Sequence, residues 1–244
     1  MSALNVDLRG LVGKHHALDL TYPLANGDPI FPGQQAFAFD VMSNVDNPDL
    51  PLYYGCISFM EHCGTHMDSP AHVVAGGRYL DELTPPELIA PAVKLDLCAR
   101  CDDHADYDVS DADILAFEAA HGKIEPGTLV FLHTGWDARY QQPDAYILES
   151  SDGEFHWPGL SREAAELLAA RGVRGVGIDT IGMDGGHVAM TLDAHRALLS
   201  SGAFILENVA NLADVPDTGS QVLALPMKVR DGSGAPTRVV AFLD

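Results

Sequence analysis

The stretch His62-Cys-Gly-Thr-His66-Met-Asp68-Ser-Pro70-Ala-His72 carries three histidines and one aspartate within eleven residues. Gly64 and Pro70 disfavour a continuous helix through it, because one is flexible and the other lacks an amide proton. In an extended chain the four side chains share one side, since all lie at even positions. A straight strand would still separate the first histidine from the aspartate by about 20 Å. The chain must therefore bend, and Gly64 and Pro70 permit the bends.

Three imidazoles and a carboxylate on one side of the chain suit Zn²⁺ or Mn²⁺ better than Ca²⁺. So many titratable groups together indicate a function. The segment therefore predicts a divalent-metal site. Two later residues are weaker candidates: His195 lies on the inward face of a predicted helix, and Glu207 ends an apolar strand. Taken alone, His195 is typical of a core histidine whose hydrogen bonds are made within the protein, and Glu207 is typical of a solvated residue at the end of a strand.

The overall composition limits the classes of function. The chain has 244 residues, with 14 Lys+Arg against 35 Asp+Glu, a net charge of −21. A hydrophobic content of 47% excludes intrinsic disorder and is compatible with one domain spanning residues 1–244. The acidic balance argues against a nucleic-acid partner and favours a cation and small molecules. No apolar run is long enough to span a membrane.

The terminus and the cysteines indicate the compartment. The N-terminal residues lack the pattern of a secretory signal. Four cysteines are too few for disulfides to be the main stabilising element in a chain of this length. Cys98 and Cys101 form a single CxxC with no second one, so we interpret all four as reduced structural thiols. The cytoplasm is the predicted location.

Seven short runs rich in β-branched and aromatic residues predict strands. They are Tyr53 to Phe59, Val93 to Leu97, Leu129 to Leu132, Val173 to Ile178, Phe204 to Leu206, Val222 to Leu225 and Val239 to Leu243. Three capping signals predict helices between them. These begin after Ser110, Ser161 and Thr191, and Gly172 ends the second. Mixed strands and helices indicate an α/β domain, and the polar, aromatic segment 144–159 predicts a loop over a site.

Other motifs are less specific. His133-Thr-Gly-Trp136-Asp137 follows a predicted strand, a common place for site residues, although a turn with a packing tryptophan explains it equally well. Gly175-x-Gly177 and Gly182-Met-Asp-Gly185-Gly186 lack the strand and helix context of a dinucleotide site.

The histidine-rich stretch resembles the HxGTHxDxPxH signature of the cyclase family of metal-dependent hydrolases, which includes bacterial kynurenine formamidases and isatin hydrolases. Shorter pieces follow in the family's order over nearly the whole chain. They are Pro29-Ile-Phe31-Pro32-Gly33, Leu132-His-Thr134-Gly135-Trp136, Pro158-Gly-Leu-Ser161, Gly177-Ile-Asp179-Thr180 and Ala224-Leu-Pro226-Met227. The resemblance implies a three-layer swivelling β/β/α domain with mixed sheets and flanking helices, and a homo-oligomer.

The resemblance also implies roles for particular residues. His62, His66 and Asp68 would bind one divalent ion, Zn or Mn. In the formamidase branch, Asp68 would bridge to a second ion held by His195 and Glu207, so the chain would hold one or two ions.

The implied catalytic residue is His72, which would transfer the proton. Phe31 would take an aromatic substrate-contact position where the formamidases usually have Trp. The insertion 144–157 adds further aromatic groups near the pocket. The predicted substrate contacts are Phe31, Trp136, His156 and Trp157.

The predicted reaction is hydrolysis of the amide C–N bond of an aromatic amide, such as N-formylkynurenine, by metal-bound hydroxide. A first alternative is ring opening of a cyclic amide, imide or lactone, as in isatin hydrolases. A second alternative is a two-His-one-carboxylate Fe(II) oxygenase, which would leave two histidines without roles. A third is a non-catalytic metal-dependent binding protein, for which an extra base beside the ion has no purpose.

Overall fold

The computed structural model describes residues 16–102 and 104–243. Their strands are β1 (His16–Asp19), β2 (Ala38–Ser43), β3 (Tyr54–Ser58), β4 (His66–Asp68), β5 (Ile89–Asp96), β6 (Asp108–Val109), β7 (Leu129–His133), β8 (Gly159–Leu160), β9 (Gly175–Ile178), β10 (Phe204–Glu207), β11 (Ser220–Pro226) and β12 (Gly234–Leu243). Their α-helices are α1 (Cys98–Cys101), α2 (Asp111–His121), α3 (Pro143–Ile147), α4 (Arg162–Arg171) and α5 (Asp193–Ser200). Short 3₁₀ turns include Pro70–His72, Trp136–Arg139 and Gly186–Thr191.

Seven strands close into a ring in the order β12-β11-β5-β7-β9-β10-β4, and β4 pairs again with β12. Strands β5, β7, β9 and β10 are parallel, whereas β11, β12 and β4 pair antiparallel with their neighbours. The long β12 closes the ring because its first residues pair with β4 on one edge, while β11 occupies its other edge. The last residues of β12 pair with β1, which lies outside the ring. Closure leaves most of these strands without a free edge.

The mixed α/β class is confirmed, and each of the seven predicted strands is present with bounds shifted by a few residues. The finer three-layer arrangement stays a prediction, since the principal strands form one closed sheet. The single domain over 1–244 also stays a prediction. Residues 1–15, where the absence of a secretory signal was inferred, lie outside the described residues.

Two of the three predicted helix caps are confirmed. The Ser110 hydroxyl accepts the Asp113 amide proton, and the Asp113 carboxylate accepts that of Ser110 in return. The Ser161 hydroxyl accepts the amide proton of Ala164. Gly172 ends α4 with a left-handed φ of +71°, which glycine adopts without strain.

The predicted Thr191 cap is wrong. Thr191 ends a 3₁₀ turn, and Leu192, with a φ of +55°, separates that turn from α5. The cap comes instead from Asp184, ten residues before Ala194, whose amide donates to its carboxylate at 2.8 Å. A carboxylate at a helix N-terminus is stabilising because it satisfies free amide groups.

The closed sheet has an apolar interior and an apolar outer face. Met67, Phe131, Phe204 and other alternate residues of the strands fill the inside. Gly175 and Gly177 line β9 there, because a Cβ would lie 2.5 Å from the Phe204 ring and 2.6 Å from the Phe131 ring. The Gly-x-Gly pattern therefore makes room for two aromatic rings in a narrow barrel. The helices cover the outer face through a second cluster.

Of the helices in the described residues, none is long and apolar enough to cross a lipid bilayer.

Candidate metal centre

Two bends hold the histidine-rich segment around β4. Gly64 takes a left-handed φ of +58° before the strand, and Pro70 opens the 3₁₀ turn that carries His72. Met67, in the middle of β4, points into the barrel. His66 and Asp68 therefore point out of it, towards the helical side. The predicted bends at Gly64 and Pro70 are confirmed.

The strand register supplies a second carboxylate. Glu207, at the end of β10, lies opposite His66 across the ladder. Helix α5 packs against β10 and adds His195. The His195 Nε2 atom lies 3.2 Å from Glu207 Oε1 and 3.5 Å from Asp68 Oδ2. Four predicted ligands from three distant segments thus come together, and each of them is buried.

The donor atoms are spaced for a metal ion. His66 Nε2 lies 3.3 Å from both Asp68 Oδ1 and Glu207 Oε2. Ligands about 2.0–2.1 Å from a tetrahedral ion are separated by about 3.3 Å. His66 Nε2 and Asp68 Oδ2 are buried and have no hydrogen-bond partner. Buried polar atoms without a partner are costly, so these residues fit a divalent ion.

Hydrogen bonds at Nδ1, the ring nitrogen that points away from the cluster, orient the imidazoles of His66 and His195. The Gly64 carbonyl accepts a proton from His66 Nδ1 at 2.9 Å, and the same carbonyl accepts one from the Asn208 amide. His195 Nδ1 lies 2.5 Å from Asp184 Oδ2. A proton on Nδ1 leaves the Nε2 lone pair free to bind an ion, as in many metal sites.

Asp184 and Asn208 are functional residues that the sequence analysis missed. Asp184 both caps α5 and orients His195 on it. Its only sequence signal is a position in the Gly182–Gly186 stretch, which reads as a turn. Asn208 follows the predicted ligand Glu207 and takes a left-handed φ of +52°, a conformation that asparagine tolerates.

Two sets of these side chains have donor atoms within 4.8 Å of one another, and the division of the ligands between two ions stays a prediction. One possible set is His62, Asp68 and His72, and the other is His66, Asp68 and Glu207. Asp68 belongs to both, as the predicted bridge requires. His66, however, faces Glu207, while the ring of His62 lies beside His72 with 4.0 Å between ring centroids. His62 also contacts Asp68 through Nδ1 at 2.7 Å.

The buried carboxylates make the cluster attractive to positive charge. Burial opposes a charged ring at His66, but Asp68 and Glu207 outweigh it and raise its pKa to about 10. Burial likewise opposes ionisation of Asp68, yet the histidines around it hold its pKa well below its ordinary value. Both effects show that a cation, either protons or a metal ion, is stabilised here.

His72 differs from the other histidines. Burial lowers its pKa, and the neighbouring rings of His62 and His195 lower it further against the opposing charge of Asp68. Its ring lies 5.8 Å from that of His195 and lines the cavity next to the cluster. A neutral imidazole in this position can accept a proton.

The cavity above the cluster is mostly apolar. It encloses about 700 Å³ including its open mouth. Apart from the metal-centre residues, its walls are Phe31, Gln34, Ile181, Gly182, Ala189, Met190 and Leu192. Of the described residues that line it, none is lysine or arginine. A small, uncharged aromatic compound fits such walls.

Among the four predicted substrate contacts, the structure places Phe31 on the cavity wall and the others elsewhere. Trp136 is buried, and its indole donates to the Tyr146 carbonyl at 2.8 Å. Trp157 is fully buried and donates to the Asp184 carbonyl. His156 lies 2.9 Å from the Asp106 carboxylate.

The segment predicted as a loop is only partly one. Residues 143–147 form helix α3, and Glu149 pairs with Phe155 in a β-bridge. The Phe155 ring stacks on Trp157, with 6.1 Å between centroids, and Trp157 meets Phe31 edge-on. The insertion therefore supports Phe31 from behind and shapes the cavity indirectly.

The family model named Cyclase matches residues 18–185. The isatin hydrolase of Roseibium aggregatum is 30% identical over 96% of this chain and 94% of its own length. The kynurenine formamidase of Erythrobacter litoralis is 27% identical over 91% of each protein.

Solved structures with a similar fold are likewise described as hydrolases. A crystal structure of an isatin hydrolase bound to the product analogue thioisatinate superposes with a TM-score of 0.90 at 29% identity, over 97% of this chain and 95% of that one. A structure described as a predicted metal-dependent hydrolase from Bacillus stearothermophilus superposes with a TM-score of 0.69 at 25% identity, over 93% of this chain and 98% of that one.

Proposed function

This chain belongs to the cyclase family of hydrolases, and on that premise we propose that it hydrolyses an amide C–N bond of a small aromatic substrate with the help of a divalent cation. The observation that carries the proposal is the buried cluster in which His66 Nε2 and Asp68 Oδ2 lack hydrogen-bond partners. A cation held there faces an apolar cavity of substrate size.

The residues that would hold the cation are His62, His66, Asp68, His195 and Glu207. Imidazole and carboxylate donors suit Zn²⁺ or Mn²⁺, and Asp68 belongs to both sets of side chains that could hold an ion. When bound, the cation supplies Lewis-acid polarisation of a carbonyl oxygen and a more acidic water. Asp184 and the Gly64 carbonyl keep the His195 and His66 rings aimed at the cation.

His72 supplies the proton transfer. In our proposal its neutral ring takes a proton from the attacking water and then gives that proton to the leaving nitrogen. The nitrogen must be protonated to depart, since an amide anion is a poor leaving group. The lowered pKa of His72 keeps the ring in the accepting form at neutral pH.

The cavity walls favour a neutral substrate. N-formylkynurenine carries a charged amino-acid group, and no lysine or arginine of the described residues lines the cavity to receive its carboxylate. We therefore favour ring opening of a neutral cyclic amide such as isatin over hydrolysis of N-formylkynurenine.

Comparison of the two substrates on the metal-loaded protein tests this preference. We expect kcat/KM for isatin to exceed that for N-formylkynurenine by at least about tenfold. A tenfold ratio corresponds to roughly 1.4 kcal/mol of transition-state stabilisation, which the burial of one unpaired charge readily costs. Gln34→Lys, which places a cation on the wall, should narrow the gap. Equal or faster turnover of N-formylkynurenine by the unmodified protein would overturn the preference.

The Fe(II) oxygenase alternative is not favoured. The cluster contains two carboxylates and additional histidines, whereas that class of site uses two histidines and one carboxylate. The relatives named above are also hydrolases.

We also propose that a second copy of the chain covers the β2–β3 hairpin. The hairpin is a separate two-stranded sheet. It exposes Val41, Met42, Tyr53 and Ile57, each more than half exposed. An isolated two-stranded sheet is marginally stable in water, and large apolar side chains exposed on it are stabilised by burial against another surface.

Light scattering after size exclusion tests the oligomer. We expect the unmodified protein to be at least a dimer and Ile57→Asp to shift towards monomer. Leu115→Asp, which changes a leucine of similar exposure on α2 (47% against 54% for Ile57), is the matched control and should leave the mass unchanged. A monomeric unmodified protein would contradict the proposal.

A cytoplasmic location also stays our proposal. It is supported by four cysteines that are all free in the structure.

A further inference from the structure

A second group of metal-binding side chains lies at the carboxyl ends of two parallel strands. Asp96 ends β5 and His133 ends β7, and the strand register pairs these two residues directly. Cys98 is the first residue of α1, which follows β5. This edge of a parallel sheet is where α/β proteins commonly place sites. The group contains Cys98, the first cysteine of the CxxC, and His133, the first residue of the motif His133–Asp137. The metal centre described above uses neither residue.

The donor atoms of this group are close enough to share one ion. Asp96, Cys98 and His133 each offer an atom within 4.8 Å of the others. Cys98 Sγ lies 3.4 Å from His133 Nδ1, and that nitrogen lies 3.9 Å from Asp96 Oδ1. A tetrahedral zinc ion with bonds of about 2.3 Å to sulfur and about 2.0–2.1 Å to nitrogen separates these two donors by about 3.6 Å. The observed distance of 3.4 Å between sulfur and nitrogen is close to that value.

The buried imidazole of His133 has only a weak hydrogen-bond partner. Its side chain is only 7% exposed. Within the described residues, neither ring nitrogen makes a hydrogen bond to oxygen or nitrogen, and the thiol of Cys98 is the contact of both. A buried imidazole ordinarily has a stronger partner than a thiol. Both ring nitrogens lie beside the sulfur instead, Nδ1 at 3.4 Å and Nε2 at 3.6 Å, so a cation near the sulfur would also meet the imidazole.

The surrounding charge also favours a cation. Burial raises the pKa of the Cys98 thiol to about 12, and the carboxylates of Asp96, Asp179 and Asp137 add to the effect. The same carboxylates attract a cation that replaces the thiol proton. Asp96 is 56% exposed on its side chain, so an ion can enter from solvent.

We propose that Asp96, Cys98 and His133 form a second cation site, separate from the catalytic cluster and specific for a zinc-class ion through its thiolate ligand. Three protein ligands leave a fourth position for water. Zinc rather than magnesium or calcium is expected because thiolate and imidazole are softer donors than oxygen.

Cobalt substitution tests this site separately from the proposed function, because the catalytic cluster contains no cysteine. With Co²⁺ as the probe, we expect a thiolate-to-cobalt charge-transfer absorption in the unmodified protein. Cys98→Ser should abolish the absorption and remove about one bound Co²⁺ per chain. Cys101→Ser, which changes a buried cysteine outside the group, is the matched control and should retain both. Circular dichroism checks that each variant is folded.

Asp68→Asn provides the second control, since disabling the catalytic cluster should leave the absorption intact. The proposal is overturned by an unmodified protein without thiolate absorption at saturating Co²⁺. It is equally overturned by an absorption that survives in Cys98→Ser.

Discussion

Asp68→Asn is expected to abolish both metal binding and hydrolysis. Asp68 belongs to both possible ligand sets and is 1% exposed. Its Oδ1 atom lies 2.7 Å from His62 Nδ1, and its Oδ2 atom has no hydrogen-bond partner. An amide removes the negative charge that balances a cation, and its NH₂ group cannot bind one. The substitution therefore acts on every ion the cluster could hold.

The expected loss in kcat is at least about 10³-fold, since a bound cation contributes several kcal/mol of transition-state stabilisation. Elemental analysis should show the metal content falling in parallel. Glu163→Gln, an exposed acid-to-amide change on α4, is the matched control and should affect neither quantity. A variant at position 68 that kept its metal and turned over within tenfold of the unmodified protein would exclude the assigned role.

His72→Ala is expected to lower turnover about 10²–10⁴-fold while the metal content stays constant, the range typical of a lost acid–base group. His72 lines the cavity beside the cluster, and burial keeps its ring neutral by lowering its pKa. His72→Gln preserves the side-chain volume without the titratable ring, so it should be equally slow. Added imidazole should restore part of the turnover of the alanine variant.

Two outcomes contradict this role for His72. One is turnover near that of the unmodified protein with metal bound. The other is loss of metal from His72→Ala, which would make the residue a ligand in the set with His62 and Asp68.

The metal centre could be predicted where its residues are close in sequence. The spacing from His62 to His72, with Gly64 and Pro70 between them, indicates a bent segment with its ligands on one side, and the structure has both bends. Asp184 could not be predicted this way. Its contacts with Ala194 and His195 depend on how a turn docks against α5, and no local pattern encodes that docking.

The aromatic residues show a second limit of sequence reasoning. Trp136 and Trp157 are as suitable for a pocket as for a core, because a large ring serves either. The structure buries both and satisfies their indole protons with backbone carbonyls. Only the three-dimensional packing separates them from Phe31, which does line the cavity.

The fold likewise has features that the local sequence predicts and features that it does not. Strand positions follow from local composition, and all seven predicted strands are present. Closure of the sheet depends on β12 pairing with β4, a contact between segments more than 160 residues apart in the chain. Gly175 and Gly177 reflect this closure, because a narrow barrel requires small residues opposite Phe131 and Phe204.

The most direct test of a metal-dependent amide hydrolase is turnover of isatin before chelation, after chelation and after Zn²⁺ or Mn²⁺ is restored, with metal content measured at each step. We expect bound metal in the purified protein, loss of turnover with loss of metal, and recovery of both on restoration. Isatin hydrolysis that persists after complete metal removal, or a protein that binds neither ion, would contradict the central claim.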